Sequence, residues 1–283
     1  MSSSATATIL ARRARPRALP VLAAFVRRDW GIAWSYRFPF VLGLGQGFAT
    51  VGFLYFLSRL VGGRIVSSSG GLHGGYFAFS VLGTMLLGFF SVTLTAFAQR
   101  LRADQTAGTL EVLFTMPPRP ALSVLGSASY QLLYSTIANL VSLLLAVAVG
   151  LRFSAAAPGA LLAIADIGVS FALFSAVGIA FAAFVMVFKR GETLTAIGTS
   201  ALVLVGGVYY PVSLMPHALR LVAEILPFTW ALEILRSSLL SSSLPLARFG
   251  ELCGATILAI PVALWLFSAA LDRARRTGTL GQY

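Results

Sequence analysis

Few side chains in this 283-residue sequence are suited to chemistry: nine carboxylates, two histidines, one cysteine and 21 basic groups, of which only Lys189 is a lysine. His73, His217 and Cys253 stand far apart and give none of the ligand spacings that a zinc site needs, so no metal is expected. Lys189 follows Phe188 and lacks the glycine pattern of a phosphate-binding loop, so the chain cannot hydrolyse nucleotide in that way by itself. Gly43-x-Gly45-x-Gly47 has no strand before it and is not a dinucleotide fingerprint. An intramembrane serine hydrolase would need a base beside its serine at membrane depth, and neither histidine falls in an apolar run. The sequence therefore predicts no enzyme, and no cofactor bound by this chain.

The carboxylates are the informative minority. Asp104 and Glu111 fall in a polar connection at 99–120, with Gly108 between them and Pro117, Pro118 and Pro120 stopping any helix. Leu110, Leu113 and Phe114 recur at i, i+3, i+4 and give that stretch an apolar face. Such a short amphipathic helix either offers a grip to a peripheral protein or lies on lipid. Asp166 is the one acidic residue inside a long apolar run. It is either a cation or proton site at membrane depth, or a headgroup-level residue within reach of Arg152. Near the C-terminal end, Pro211, Pro216 and Pro227 divide the chain into pieces 218–226 and 228–240, each too short to cross a bilayer. There the spacing predicts pairs Arg220–Glu224 at i, i+4 and Glu233–Arg236 at i, i+3.

The elements that must carry these groups are membrane spans. Hydrophobic residues make up 58% of the chain and charged ones 11%, with mean hydropathy +0.87. Soluble domains carry about 25% charged residues, and disorder requires low hydrophobicity, so both classes are excluded. About 20 apolar residues cross the hydrocarbon core, and six runs suffice: 38–58, 76–98, 121–150, 160–188, 194–212 and 252–271. They are continuously apolar, without the alternation of barrel strands. Glycines such as Gly43, Gly45, Gly47, Gly52, Gly83 and Gly88 would let these helices approach closely. Met85, Phe89, Phe90 and Phe97 could line an apolar pathway, though packing or lipid-facing roles are the commoner use of such residues.

The net charge of +12 belongs to membrane topology and not to nucleic acid. With six spans both termini share a side, and fifteen of the 21 basic residues fall on it; only Arg59, Arg64, Arg152, Arg220, Arg236 and Arg248 fall on the other. The positive-inside rule then puts both termini in the cytoplasm. Arg12–Arg17 followed by an apolar stretch imitates a signal peptide. However, that stretch is nine residues long, and Arg27, Arg28 and Asp29 end it without a cleavage site. Residues 20–38 instead predict an amphipathic interfacial helix, with Leu22, Phe25, Val26 and Trp30 on one face and Trp34 and Tyr36 at headgroup level. The competing expectation is a basic tail that only fixes topology. The domain division is a disordered basic tail at 1–19 and one membrane domain at 20–283.

The run Asp104-x-x-x-Gly108-Thr109-Leu110-Glu111-x-Leu113, closing on Pro117, resembles the motif of permease subunits of ABC-2 type transporters. The later run Gly207-Val-Tyr-Tyr-Pro211-Val-Ser-Leu-Met-Pro216, with Leu226-Pro227-Phe-Thr-Trp-Ala-Leu-Glu233 after it, is similar to that family's segment around the fifth span. Asp104 stands where the family usually has glutamate, and Gln105 where a further charge is common. The resemblance implies an all-α integral membrane protein with six transmembrane helices, an N-terminal interfacial helix, a cytoplasmic coupling helix and outer re-entrant half-helices. It implies a homodimer, or a pair of related permeases, in a bacterial inner membrane. It also implies separate P-loop ATPase subunits that carry the ATP and Mg. Asp104, Gly108, Thr109, Leu110, Glu111 and Phe114 would then dock on the ATPase. The hairpin carrying Pro211, Pro227 and Glu233 would be an outer gate or a membrane anchor. The implied activity is export of a drug, lipid or lipid-linked glycan. The alternative class is a secondary transporter using Asp166; it predicts inverted repeats and several buried charges, neither of which is visible in the sequence.

Overall fold

A backbone in lipid must close its hydrogen bonds within its own segment, so continuously apolar runs become helices. The computed structural model describes residues 27–28, 30–31, 37–61, 75–106, 120–188, 191–241 and 243–276. Among these there is no strand. Arg27, Arg28, Trp30 and Gly31 are helical, and the rest of the predicted interfacial helix and the tail lie outside the described residues. Then follow α1 (Arg37–Val61), α2 (Gly75–Thr106), α3 (Pro120–Val149), α4 (Ala157–Phe188) and α5 (Gly191–Val205). A 3-10 turn at Val212–Leu214 leads to α6 (His217–Ile225), α7 (Pro227–Leu240) and α8 (Leu246–Arg276).

Four of these helices are long and apolar enough to cross a membrane, over Gly75–Ala96, Tyr130–Val149, Ala157–Met186 and Leu246–Arg273. The expected fifth span is the main departure. Its run was predicted to continue to 212, but α5 stops at Val205 after 15 residues. At about 1.5 Å per residue it is shorter than the hydrocarbon core. The cause is local. Gly207 takes φ 71°, the left-handed region that favours glycine, and the backbone leaves the helix there. α2 departs the other way: it runs past its apolar part to Thr106 and takes Asp104 into its last turn.

α4 is the central helix, with α8, α2 and α7 packed around it. Its small residues Ala176, Ala182 and Ala183 meet Ala263, Phe267 and Ala270 of α8, so the two helices approach closely. At the next level, Phe90 of α2, Phe174 of α4 and Phe228 of α7 pack together with ring centroids 5.0 to 6.0 Å apart. Phe89 is buried beside them, so Phe89 and Phe90 both pack within the chain; the Phe97 side chain lies outside the described residues. A third cluster joins Val51 and Leu54 of α1 to Ala78, Val81 and Leu82 of α2 and to Leu235 and Leu240 of α7. Several polar side chains inside the helices are satisfied locally. Thr84, Ser91, Thr93, Ser142 and Thr256 each donate to the carbonyl four residues back.

Candidate functional site

The break after α5 organises the polar part of the molecule. Gly206 donates to the Leu202 carbonyl at 2.7 Å, the last helical bond, and Gly207 then turns the chain. Pro211 begins a 3-10 turn, closed by Leu214 donating to Pro211 O at 3.1 Å and Met215 to Val212 O at 3.1 Å. Pro216 caps α6 and Pro227 occupies the first turn of α7, where a missing N–H costs nothing. The two short helices have the predicted extents to within a residue. Trp230 Nε1 ties them by donating to the Glu224 carbonyl at 2.6 Å.

A break leaves carbonyls without helical partners, and buried carbonyls must find donors. Arg236 of α7 supplies them. Its Nη1 donates to Gly207 O at 2.8 Å, and its Nη2 donates to Val208 O at 2.7 Å and to Phe79 O of α2 at 2.8 Å. The guanidinium carbon lies 3.4 Å from the centre of the Phe79 ring, a cation–π contact in a water-poor setting. The side chain is only 7% exposed, so the predicted Glu233–Arg236 pair does not form. Glu233 instead points outward, its Oε2 3.7 Å from Arg248 Nε. The second predicted pair does form, Arg220 Nε to Glu224 Oε1 at 2.8 Å. Gly83 and Gly206 make the junction close enough: a Cβ on Gly83 would collide with the Val208 carbonyl and Arg236 Nη2, and one on Gly206 with the Phe228 ring.

A cavity of about 510 Å³ opens beside this junction. Its walls hold Pro211 and Glu233 from the predicted set, together with Arg220, Glu224, Arg236 and Arg248. Pro227 sits at the start of α7 without lining it. Arg236 and Phe79 are the residues that sequence reasoning missed as a site. The available signal was an arginine within the apolar stretch from Ala231 to Leu240.

A second cavity, of about 450 Å³, runs between α1, α2 and α3. Its polar walls include Gln46, Thr84, Gln131, Tyr134 and Asn139, and none of its lining residues is charged.

Asp166 belongs to neither cavity. It lies nine residues into α4, fully buried, and neither carboxyl oxygen has a hydrogen-bond partner among the described residues. The Ser170 hydroxyl one turn on is likewise buried and unpartnered. The expected reach between Asp166 and Arg152 is not made: no hydrogen bond joins them among the described residues. α4 starts early, at Ala157, and Arg152 is exposed in the preceding connection. That start is fixed by α7, since Ser154 donates through N to Leu239 O at 3.1 Å and through Oγ to Leu240 O at 2.7 Å. Nor is a cation-ligand set gathered around the carboxyl: among the described residues no three His, Cys, Asp or Glu side chains cluster. Of the predicted ATPase contact, Asp104 lies in the last turn of α2, while Gly108, Thr109, Leu110, Glu111 and Phe114 lie outside the described residues.

No curated protein matches the chain. The model of the ABC-2 type transporter family matches residues 22–240, which is most of the sequence and includes both cavities' helices up to α7. A helical membrane domain, the two linked motifs and this match agree: the chain belongs to the ABC-2 type transporter family, as a multi-pass membrane permease component that is not itself catalytic.

Proposed function

We propose that this chain is the permease subunit of an ATP-driven exporter for a hydrophobic or amphipathic substrate, working as a dimer with two separate P-loop ATPases. The observation that carries the substrate class is the uncharged cavity between α1, α2 and α3. Amides and hydroxyls facing hydrocarbon are expensive, so Gln46, Gln131, Tyr134 and Asn139 gathered on one groove favour a wetted or substrate-filled path. The lack of charge there suits a neutral or amphipathic passenger over a small ion.

In this reading α1 and α5 complete six spans, α5 together with the extended residues after it, and both termini face the cytoplasm of a bacterial inner membrane. The segment from Asp104 to Phe114 docks on the ATPase, with Leu110 and Phe114 in its groove and Asp104 and Glu111 on its basic groups. Because α2 is one continuous helix to Thr106, a push on that end has a rigid path into the bundle. The α6–α7 hairpin is the outer gate. A crosslink between the two hairpins of a dimer, placed beside Glu233, is expected to block efflux from ATPase-loaded vesicles; unchanged efflux would remove the gate from the account.

A further inference from the structure

We propose that the cavity at the α5 break binds a phosphate-type anionic headgroup, with Arg236 as the fixed cation and Arg220 and Arg248 as movable ones. Three guanidiniums and two carboxylates line it. Glu224 belongs to Arg220 at 2.8 Å; Arg248 is held by Glu251 at 2.9 Å and, more loosely, by Glu233 at 3.7 Å. Arg236 alone has no carboxylate among the described residues. Its charge is met by three carbonyl dipoles and a phenyl ring, and its Nε has no acceptor. A buried cation compensated only by dipoles is costly, and an anion entering the cavity would relieve that cost.

A second observation points the same way. The Thr229 hydroxyl lines the cavity, is buried, and has no partner. Ser213 and Ser237 add neutral donors on the same wall. The side chains of Arg220 and Arg248 are 52% and 37% exposed, so their ion pairs are weak and their forks are free to turn onto a ligand. Guanidinium forks match phosphate oxygens in a bidentate way, which selects phosphate over a spherical halide. Val212, Trp230 and Leu232 make the rest of the wall apolar. An acyl chain attached to the anion would lie against them, and its arrival from the membrane is the one part that rests on the permease reading.

Binding is measured on the purified full-length chain in neutral maltoside detergent by calorimetric titration. The probes are inorganic phosphate and dodecyl phosphate. Saturable one-to-one binding of both supports the site and gives a free anion as a sufficient ligand. Binding of dodecyl phosphate alone supports it with a lipid headgroup as the source. Arg220→Ala and Arg248→Ala are each expected to weaken binding by about tenfold, the usual worth of a charge-assisted hydrogen bond. Both should leave the melting temperature unchanged, because the pairs they break are exposed. Arg236→Lys, which keeps the charge and loses the fork, is expected to weaken it further. Saturation by neither probe, or native affinity in the Arg220→Ala/Arg248→Ala double variant, would overturn the proposal. No ATPase or transport enters the measurement, so its failure would leave the permease reading standing; failed transport with intact binding would do the reverse.

Discussion

A guanidinium leaves water only where most of its charge is compensated, and Arg236 leaves it to join three chain segments. Truncation to alanine would strand the Gly207 and Val208 carbonyls in the interior and remove the Phe79 contact. The expected cost is about 3–5 kcal/mol, seen as lost monodisperse protein or a large fall in melting temperature in detergent; an unchanged melt would mean that the carbonyls are hydrated. Asp166 makes the opposite prediction. Its carboxyl is buried without a hydrogen bond among the described residues, so Asp166→Leu is expected to hold or raise stability, by about 1–3 kcal/mol at most, and to leave transport unchanged. Strong destabilisation, or a lost pH dependence of transport, would reveal a partner for it. Gly83 and Gly88 of α2 provide a matched pair. On Gly83 a Cβ meets a backbone carbonyl that cannot swing away, whereas on Gly88 the nearest atom is Asn139 Oδ1 at 4.0 Å. Gly83→Ala should therefore cost about 1–3 kcal/mol and Gly88→Ala very little, by thermal unfolding of the two variants side by side.

Most helices could be read directly from the sequence, because an apolar run of span length has no alternative in lipid. The helix α4 starts three residues before the apolar run at 160–188, because Ser154 is anchored by α7 carbonyls, that of Leu240 lying 86 residues away in sequence. The break in α5 was half legible. Pro211 stood out as punctuation, but the hydrophobic run continued through Gly207 up to it, and only the donor supplied by Arg236 lets the backbone stop early while buried. Pairing Glu233 with Arg236 followed from helical spacing, which cannot sense that one neighbour faces a cavity rim and the other an orphaned carbonyl. The turn itself can be tested. Gly207→Ala at φ 71° is expected to cost about 1 kcal/mol of stability, and more in gate function than Gly250→Ala on α8, where a Cβ meets open space.

At the scale of the whole molecule, the apolar residues form the bundle, and its one deeply buried arginine among the described residues, Arg236, closes the break after α5. Many large apolar side chains remain exposed on α1 and α8, Phe48, Phe53 and Phe56 on the first and Ile257, Val262 and Trp265 on the second. Lipid or a second permease subunit would cover them. An outside energy source was legible only through the resemblance carried by the motif from Asp104 to Leu113, since the sequence holds no phosphate-binding loop. The most direct test is ATP-dependent uptake of a fluorescent amphiphile into inside-out proteoliposomes, carrying the chain together with the proposed P-loop ATPase. The measurement compares wild type with a Leu110→Arg/Glu111→Ala variant that inserts normally. Uptake that requires ATP and the ATPase in the wild type, and is lost in the variant, is the predicted result. Wild-type uptake by the variant, or uptake driven by an ion gradient without the ATPase, would contradict the account.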